Sequence, residues 1–265
     1  MSDVLEQEPI TYLERGTRMW VELGTPDAPE LVQWTSWLPH PWMTSFVRYH
    51  QSYAVLSNQG AVLIDPWEPV ESAQSAFFEL IGDKLAAVVI TNAWHERGAY
   101  DFRGHYGIPV YAPVHGTEEL EGQPDELYGE KDILPGALKV QWTGDEFGGD
   151  SILYWQSPNS EQVLFAGDAV QVQFRQPLAE RPRYQPGLKR SYGLWQHRGE
   201  TFVRESLSQV LRLEFTHLYG AHNPVPLKDP KAALTEILDE GEYVERSFRE
   251  LDQEIGRCYL MLREP

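Results

Sequence analysis

Apolar and polar positions recur with two different periods along this chain, and the points where the period changes divide it into elements. Tyr53-Ala54-Val55-Leu56 and Ala61-Val62-Leu63-Ile64 are unbroken apolar runs, partly β-branched. Ser57-Asn58-Gln59-Gly60 between them is turn material, so the pair predicts a β-hairpin with one deeply buried strand. Proline stops the ladder at Asp65-Pro66. From Val70 to Ile81 the spacing becomes helical, with Ala73, Ala76, Phe77, Leu80 and Ile81 on one side. Residues 86–90 predict a second buried strand, 98–106 a helix and 108–111 a short strand. Helix and strand alternating in this way predict crossover units laid over a sheet.

The flanking regions read differently. The first 50 residues are rich in tryptophan and proline (Trp20, Trp34, Trp37, Trp42, Pro39, Pro41), with strands predicted over 17–23 and 45–50. Residues 138–142, 152–155 and 163–166 predict three more strands, set apart by Gly148-Gly149-Asp150 and by the turn at 157–160. Residues 177–192 predict a long basic loop, whose Arg181-Pro182-Arg183 and Lys189-Arg190 form a basic island, read as solvated surface with attraction of an anionic substrate as the alternative. A helix is expected near 200–213, a strand end at Leu218-Tyr219, and a long amphipathic helical stretch from about Pro230 that breaks near Gly241. The order suggests two similar halves. It predicts an α/β (α+β) fold in which two sheets are sandwiched between outer helices. Residues 1–265 form one domain, with 230–265 as a C-terminal helical extension.

Composition narrows the partners. With 22 basic and 40 acidic side chains the 265 residues carry a net charge of −18, a field that repels phosphate backbones and anionic membranes. Nucleic acid and membrane surfaces are therefore not expected as partners. No apolar run approaches the ~18 residues needed to span a bilayer. The opening MSDVLEQEPI lacks the basic start and apolar stretch of a secretory signal. The single Cys258 allows no internal disulfide and fits a reducing compartment. Together these predict a cytoplasmic protein. No G-x-S-x-G or P-loop string is present, so the chain offers no motif-based serine nucleophile or phosphate cradle.

Three landmarks in fixed order carry a resemblance. The hairpin 53–66 resembles the N-terminal hairpin of the metallo-β-lactamase family. Leu164-Phe165-Ala166-Gly167-Asp168 resembles its L-F-x-G-D motif, and Gly220-Ala221-His222-Asn223-Pro224 its terminal G-H-x-P motif, with Ala221 inserted. Val88-Val89-Ile90-Thr91 stands where the family's T-H-x-H-x-D-H run begins. The likeness covers roughly residues 45–226. It implies a four-layer αββα sandwich with two divalent metals, usually zinc or iron, at one edge of the sheets. Such metals lower the pKa of bound water to about 7 and polarise the bond it attacks, here in esters, thioesters, lactams or phosphoesters.

Carried over position by position, most of that ligand set is missing. The family's first two histidines fall on Asn92 and Trp94, its aspartate on Glu96 and its last motif histidine on Arg97. The next histidine falls on Asp145, the bridging aspartate on Asp168 and the final histidine on His222. The resemblance thus leaves Asp168, His222 and Glu96 as metal candidates and Asn92, Trp94, His95, Arg97 and Asp145 as the cleft. An arginine cannot lose its proton. Arg97 is therefore expected to replace the lost cation by pairing with Asp168 or Glu96. A bulky Trp94 in a ligand position suggests a refilled site. His95 stands out of ligand register and is read as a loop histidine bonded to backbone; turned inward, it would join Asp168 and His222 as a two-histidine, one-carboxylate set.

Three readings stay open, and whether the chain is an enzyme stays open with them. The first is a protein of this fold that has lost its dinuclear site and binds or transforms an unknown small molecule in the old cleft. The second is a mononuclear hydrolase holding one zinc, iron or manganese on Asp168, His222 and one of Glu96, His95 or Asp145. The third is an interaction protein, with the C-terminal helical stretch as a surface for a homodimer or another partner. No catalytic residue is assigned.

Overall fold

The computed structural model describes residues 10–14, 17–23, 30–37, 49–143, 149–159, 161–167, 170–174, 184–190, 208–221 and 229–239. Eight strands form the first sheet in chain order: β1 (Ile10–Glu14), β2 (Thr17–Leu23), β3 (Leu31–Trp37), β4 (Tyr49–Ser57), β5 (Gly60–Ile64), β6 (Leu85–Val89), β7 (Val110–Pro113) and β8 (Glu126–Tyr128). Neighbours from β1 to β5 are antiparallel, and from β5 to β8 they are parallel. Helix α1 (Gln74–Ile81) makes the crossover from β5 to β6, and α2 (Ala99–Tyr106) that from β6 to β7. The second sheet contains β9 (Ile133–Leu134), β10 (Leu138–Thr143), β11 (Ser151–Gln156), β12 (Gln162–Phe165) and β15 (His217–Tyr219), in the order 15-12-11-10-9. Strands β13 (Val170–Phe174) and β14 (Tyr184–Arg190) form a separate antiparallel pair, and α3 covers Pro230–Asp239.

The unbroken apolar runs arise because β5 and β6 are covered on both faces. Ala61, Leu63, Val88 and Ile90 face α1 and α2, where they meet Phe77, Ile81 and Phe102. Val62, Ile64, Ala87 and Val89 face the second sheet and meet Leu138, Leu153, Val163 and Phe165. The outer face of the second sheet is covered as well, since Ile152, Leu164 and Leu218 are buried. The expected hairpin closes on the two-residue loop Asn58-Gln59, with Ser57 opposite Gly60. Gly60 sits at φ +127°, and a Cβ there would stand 2.7 Å from the Lys84 carbonyl oxygen, so this position requires glycine.

Three sequence expectations change. Strand β3 falls in the stretch read only as tryptophan-rich; its Trp34 ring packs edge-on against Phe77 at 4.9 Å and donates from Nε1 to the Trp67 carbonyl. The strand expected over 45–50 enters the described residues only at Tyr49, as the start of β4. The basic loop 177–192 contains strand β14 despite Pro186. Leu188 pairs with Val172 and Tyr184 with Phe174, so Gln185, Pro186 and Gly187 bulge opposite Gln173, where a residue without an N–H is tolerated. Among the described residues no helix is long and apolar enough to cross a membrane. The remainder of the tail, Cys258, the island Arg181-Pro182-Arg183 and most of 200–213 lie outside the described residues.

Candidate functional site

Parallel pairing of β5 with β6 brings two strand ends together. Asp65 follows β5, and its N–H donates to the Val89 carbonyl at 3.0 Å. Thr91 follows β6, at the start of the loop 91–97. The Asp65 carboxylate is buried and fully engaged: Oδ1 accepts from the Thr91 N–H at 2.7 Å, and Oδ2 from the Thr91 hydroxyl at 2.6 Å. Oδ2 also faces Nδ1 of the buried His95 at 2.9 Å. Burial raises the Asp65 carboxyl, but His95, Arg97 and the Thr91 hydroxyl outweigh it and hold the group below its ordinary value of 3.8. An ionised carboxylate only accepts, so Nδ1 of His95 carries the proton and shares it between Asp65 and the Thr91 oxygen 3.0 Å away.

The rest of the loop is tied to protein in the same way. Asn92 precedes a 3-10 turn, Ala93–His95, and caps it by accepting from the Trp94 N–H at 2.9 Å. Its amide donates to Oδ1 of the buried Asp150 at 2.7 Å. Trp94 turns outward with 47% of its surface exposed. Glu96 accepts backbone hydrogen bonds from Glu121 at 2.7 Å and Gly122 at 2.9 Å. Arg97 sits at φ +39° and donates from Nη1 to the carbonyls of Gln51 at 2.6 Å and Asp65 at 2.9 Å.

These placements correct three expectations. Arg97 does not pair with Glu96, while the other expected partner, Asp168, lies outside the described residues: the left-handed backbone at Arg97 sends the two side chains apart, one to the ends of β4 and β5 and the other to the loop before β8. Trp94 does not refill an interior site. Nδ1 of His95 meets a carboxylate and a hydroxyl in place of the expected backbone. In the sequence Asp65 marks only a strand stop and Asp150 only turn material. A charge closing a run of apolar residues was the one signal available for Asp65.

Asp145, Asp168 and His222 lie outside the described residues. Their described chain neighbours meet at the same edge. Ala221 donates to the Gly167 carbonyl at 2.9 Å, Gln51 donates to the Ala221 carbonyl at 2.7 Å, and the Tyr53 hydroxyl donates to the Gly220 carbonyl at 2.6 Å. A Cβ on Gly167 would stand 2.6 Å from the Thr91 Oγ1.

The donor chemistry of the loop does not fit a dinuclear metal site. Trp94 has no lone pair to offer, Arg97 is a cation, and Asn92 and Glu96 are committed to protein donors and acceptors. Among the described residues no three His, Cys, Asp or Glu side chains are grouped to hold a metal ion. Glu96 works as a loop clamp. Glu96→Ala should lower stability by about 1–2 kcal/mol in urea unfolding, equally with and without chelator, because two backbone N–H groups lose a charged acceptor.

No protein-family model matches the sequence, and no curated protein matches it. Solved structures do. The metallo-β-lactamase from Pontibacter korlensis is 15% identical with a TM-score of 0.57, covering 83% of this chain and 97% of its own. The DIM-1 metallo-β-lactamase is 17% identical with a TM-score of 0.58, covering 85% and 98%. VMB-1 at pH 5.5 is 14% identical with a TM-score of 0.59, covering 85% and 98%. Likeness along nearly the whole length of each of these structures, together with two stacked mixed sheets and crossover helices on the outer face of the first, gives this chain the metallo-β-lactamase fold.

Proposed function

We propose that this protein, read as one domain over 1–265 with its C-terminal helical extension, keeps the metallo-β-lactamase architecture without the dinuclear metal site. In this reading it is not a conventional zinc hydrolase, and the old cleft binds or transforms a small molecule. The observation that carries it is the loop 91–97. Asn92 bonds Asp150 and the Trp94 N–H, Glu96 accepts from two backbone N–H groups, Nη1 of Arg97 donates to two carbonyls, and Trp94 faces outward. The charge balance a metal would supply is met internally, with Asp65 flanked by His95 and Arg97.

A second reading, one metal on Asp168 and His222, is favoured by a single observation. A metal-binding histidine usually gives its second ring N–H to a carboxylate, which fixes the tautomer that leaves the other nitrogen's lone pair for the ion. His95 has that arrangement with Asp65, whereas Glu96 is committed elsewhere. In this reading His95 ranks ahead of Glu96 as third ligand, and Asp145, the remaining candidate, lies outside the described residues.

Metal analysis separates the readings. Protein purified without chelator, saturated with zinc and desalted should retain under about 0.1 equivalent, because neutral amides, carbonyls and a guanidinium do not hold Zn²⁺. One tightly held equivalent, lost in His95→Gln and in Asp168→Ala but kept in Glu96→Gln, would establish the mononuclear reading instead. Two equivalents would overturn both.

A further inference from the structure

We infer that the far end of the sandwich carries a second binding site, for a small organic ammonium ion with an apolar body. The first sheet's hairpin tip at Asn58-Gln59 and the turns of the second sheet enclose a cleft of about 670 Å³. It lies at the opposite end of β5 from Asp65, roughly 17 Å along the strand at about 3.3 Å per residue. A volume of this size is in the ordinary range for small-molecule sites. Its chemistry is one-sided. Leu56, Trp155 and Pro158 supply apolar wall, and Asn58, Gln59 and Gln156 supply neutral amides. Among the described lining residues Glu30 alone carries a charge.

Glu30 is the group that selects the ligand. Its backbone carbonyl is used, accepting from the Leu56 N–H at 2.8 Å. Its side-chain Oε2 is shielded from solvent without a hydrogen-bond donor, and among the described residues no cation pairs with the carboxylate. A partly buried carboxylate without donor or counter-charge is costly, whereas the described Asp65, Asp150 and Glu96 each meet hydrogen-bond donors. A ligand ammonium at this wall supplies the counter-charge that the Glu30 carboxylate lacks, while its apolar body covers Leu56 and Pro158. The cleft floor is also built at some cost. Gly136 and Ala137 both adopt the left-handed region, at φ +71° and +59°, and only the first is a glycine. A Cβ on Gly136 would approach Val62 Cγ2 to 3.2 Å, so this position favours glycine.

The probe is 2-phenylethylammonium, with 2-phenylethanol as the uncharged analogue. Titration calorimetry on the full chain should give saturable one-site binding with a Kd on the order of 0.1–1 mM. Glu30→Gln, which keeps shape and removes charge, should raise the Kd about tenfold or more, and so should replacing the amine by the alcohol. Because a chain of charge −18 attracts any cation, Glu118→Gln on the exposed surface is the control and should leave the Kd unchanged. In the wild type, NMR shifts on titration should concentrate on the side-chain amides of Asn58, Gln59 and Gln156, a measurement that requires no variant to fold. Absence of saturable binding below about 5 mM, equal binding by Glu30→Gln or by the alcohol, or shifts centred elsewhere would each overturn the proposal.

Discussion

Replacing Asp65 by alanine should lower the stability of this protein by about 3–5 kcal/mol, the range for stripping one partner from a buried charged cluster. The carboxylate satisfies the Thr91 N–H, the Thr91 hydroxyl and the His95 ring N–H, and it faces the guanidinium of Arg97. Alanine takes that acceptor from the Thr91 N–H, the Thr91 hydroxyl and the His95 ring N–H, and the counter-charge from Arg97. It also places an ordinary side chain at φ +48°, which Asp and Asn tolerate better. Asp65→Asn keeps size, backbone tolerance and one oxygen for the Thr91 N–H, so its cost should be smaller, about 1–3 kcal/mol. Urea unfolding measures both. Equal, small losses under about 0.5 kcal/mol would mean that the cluster contributes nothing beyond a surface turn.

The same carboxylate sets an acid limit. Its carboxyl is held below the ordinary value of 3.8 in the folded state, so the folded protein binds this proton less readily than the unfolded chain. A lowered carboxyl contributes stability above the unfolded value and loses it as the pH falls through the folded one. Wild-type stability should therefore fall below about pH 4 more steeply than that of Asp65→Asn, which has no proton to gain there.

What the sequence reveals of this fold follows from which faces are buried. β5 and β6 are covered on both sides, so their residues are apolar without interruption and their positions can be read directly. β3 is also buried, yet Gln33 and Ser36 point into the protein, and Gln33 is satisfied by Gln51 at 2.9 Å. An inward polar residue paired across strands looks like a loop residue in one dimension, so the strand is hidden. The site divides the same way. The neighbours of the loop 91–97 locate it, because a buried strand precedes it and a helix follows. What its side chains do is decided by a 3-10 turn and by the left-handed residue at Arg97, which send Trp94 outward, His95 inward and Glu96 and Arg97 apart. The acceptor for His95 lies 30 residues earlier, and only strand pairing brings it near.

Gly167 of the second sheet lies against Thr91, which the Asp65 cluster holds, and a double substitution should expose the coupling. Gly167 sits at φ +51°, and a Cβ there would meet Thr91 at Oγ1 (2.6 Å) and at Cβ (3.0 Å). Thr91 cannot yield cheaply, because its hydroxyl and N–H are both held by Asp65 and its oxygen lies 3.0 Å from His95 Nδ1. Gly167→Ala should therefore cost about 2–4 kcal/mol, part backbone strain and part overpacking. Thr91→Ala alone should cost about 1–2 kcal/mol for the lost hydroxyl bond. In the double variant the atom that Gly167→Ala strikes first is gone, so the two losses should fall short of their sum by about 1 kcal/mol or more. Additivity within about 0.5 kcal/mol would mean that the Gly167 turn relaxes without moving Thr91. A clear shortfall would mean that the first sheet's carboxylate cluster and the turn leading to Asp168 form one mechanical unit, so that any ligand acting at that edge is felt by both.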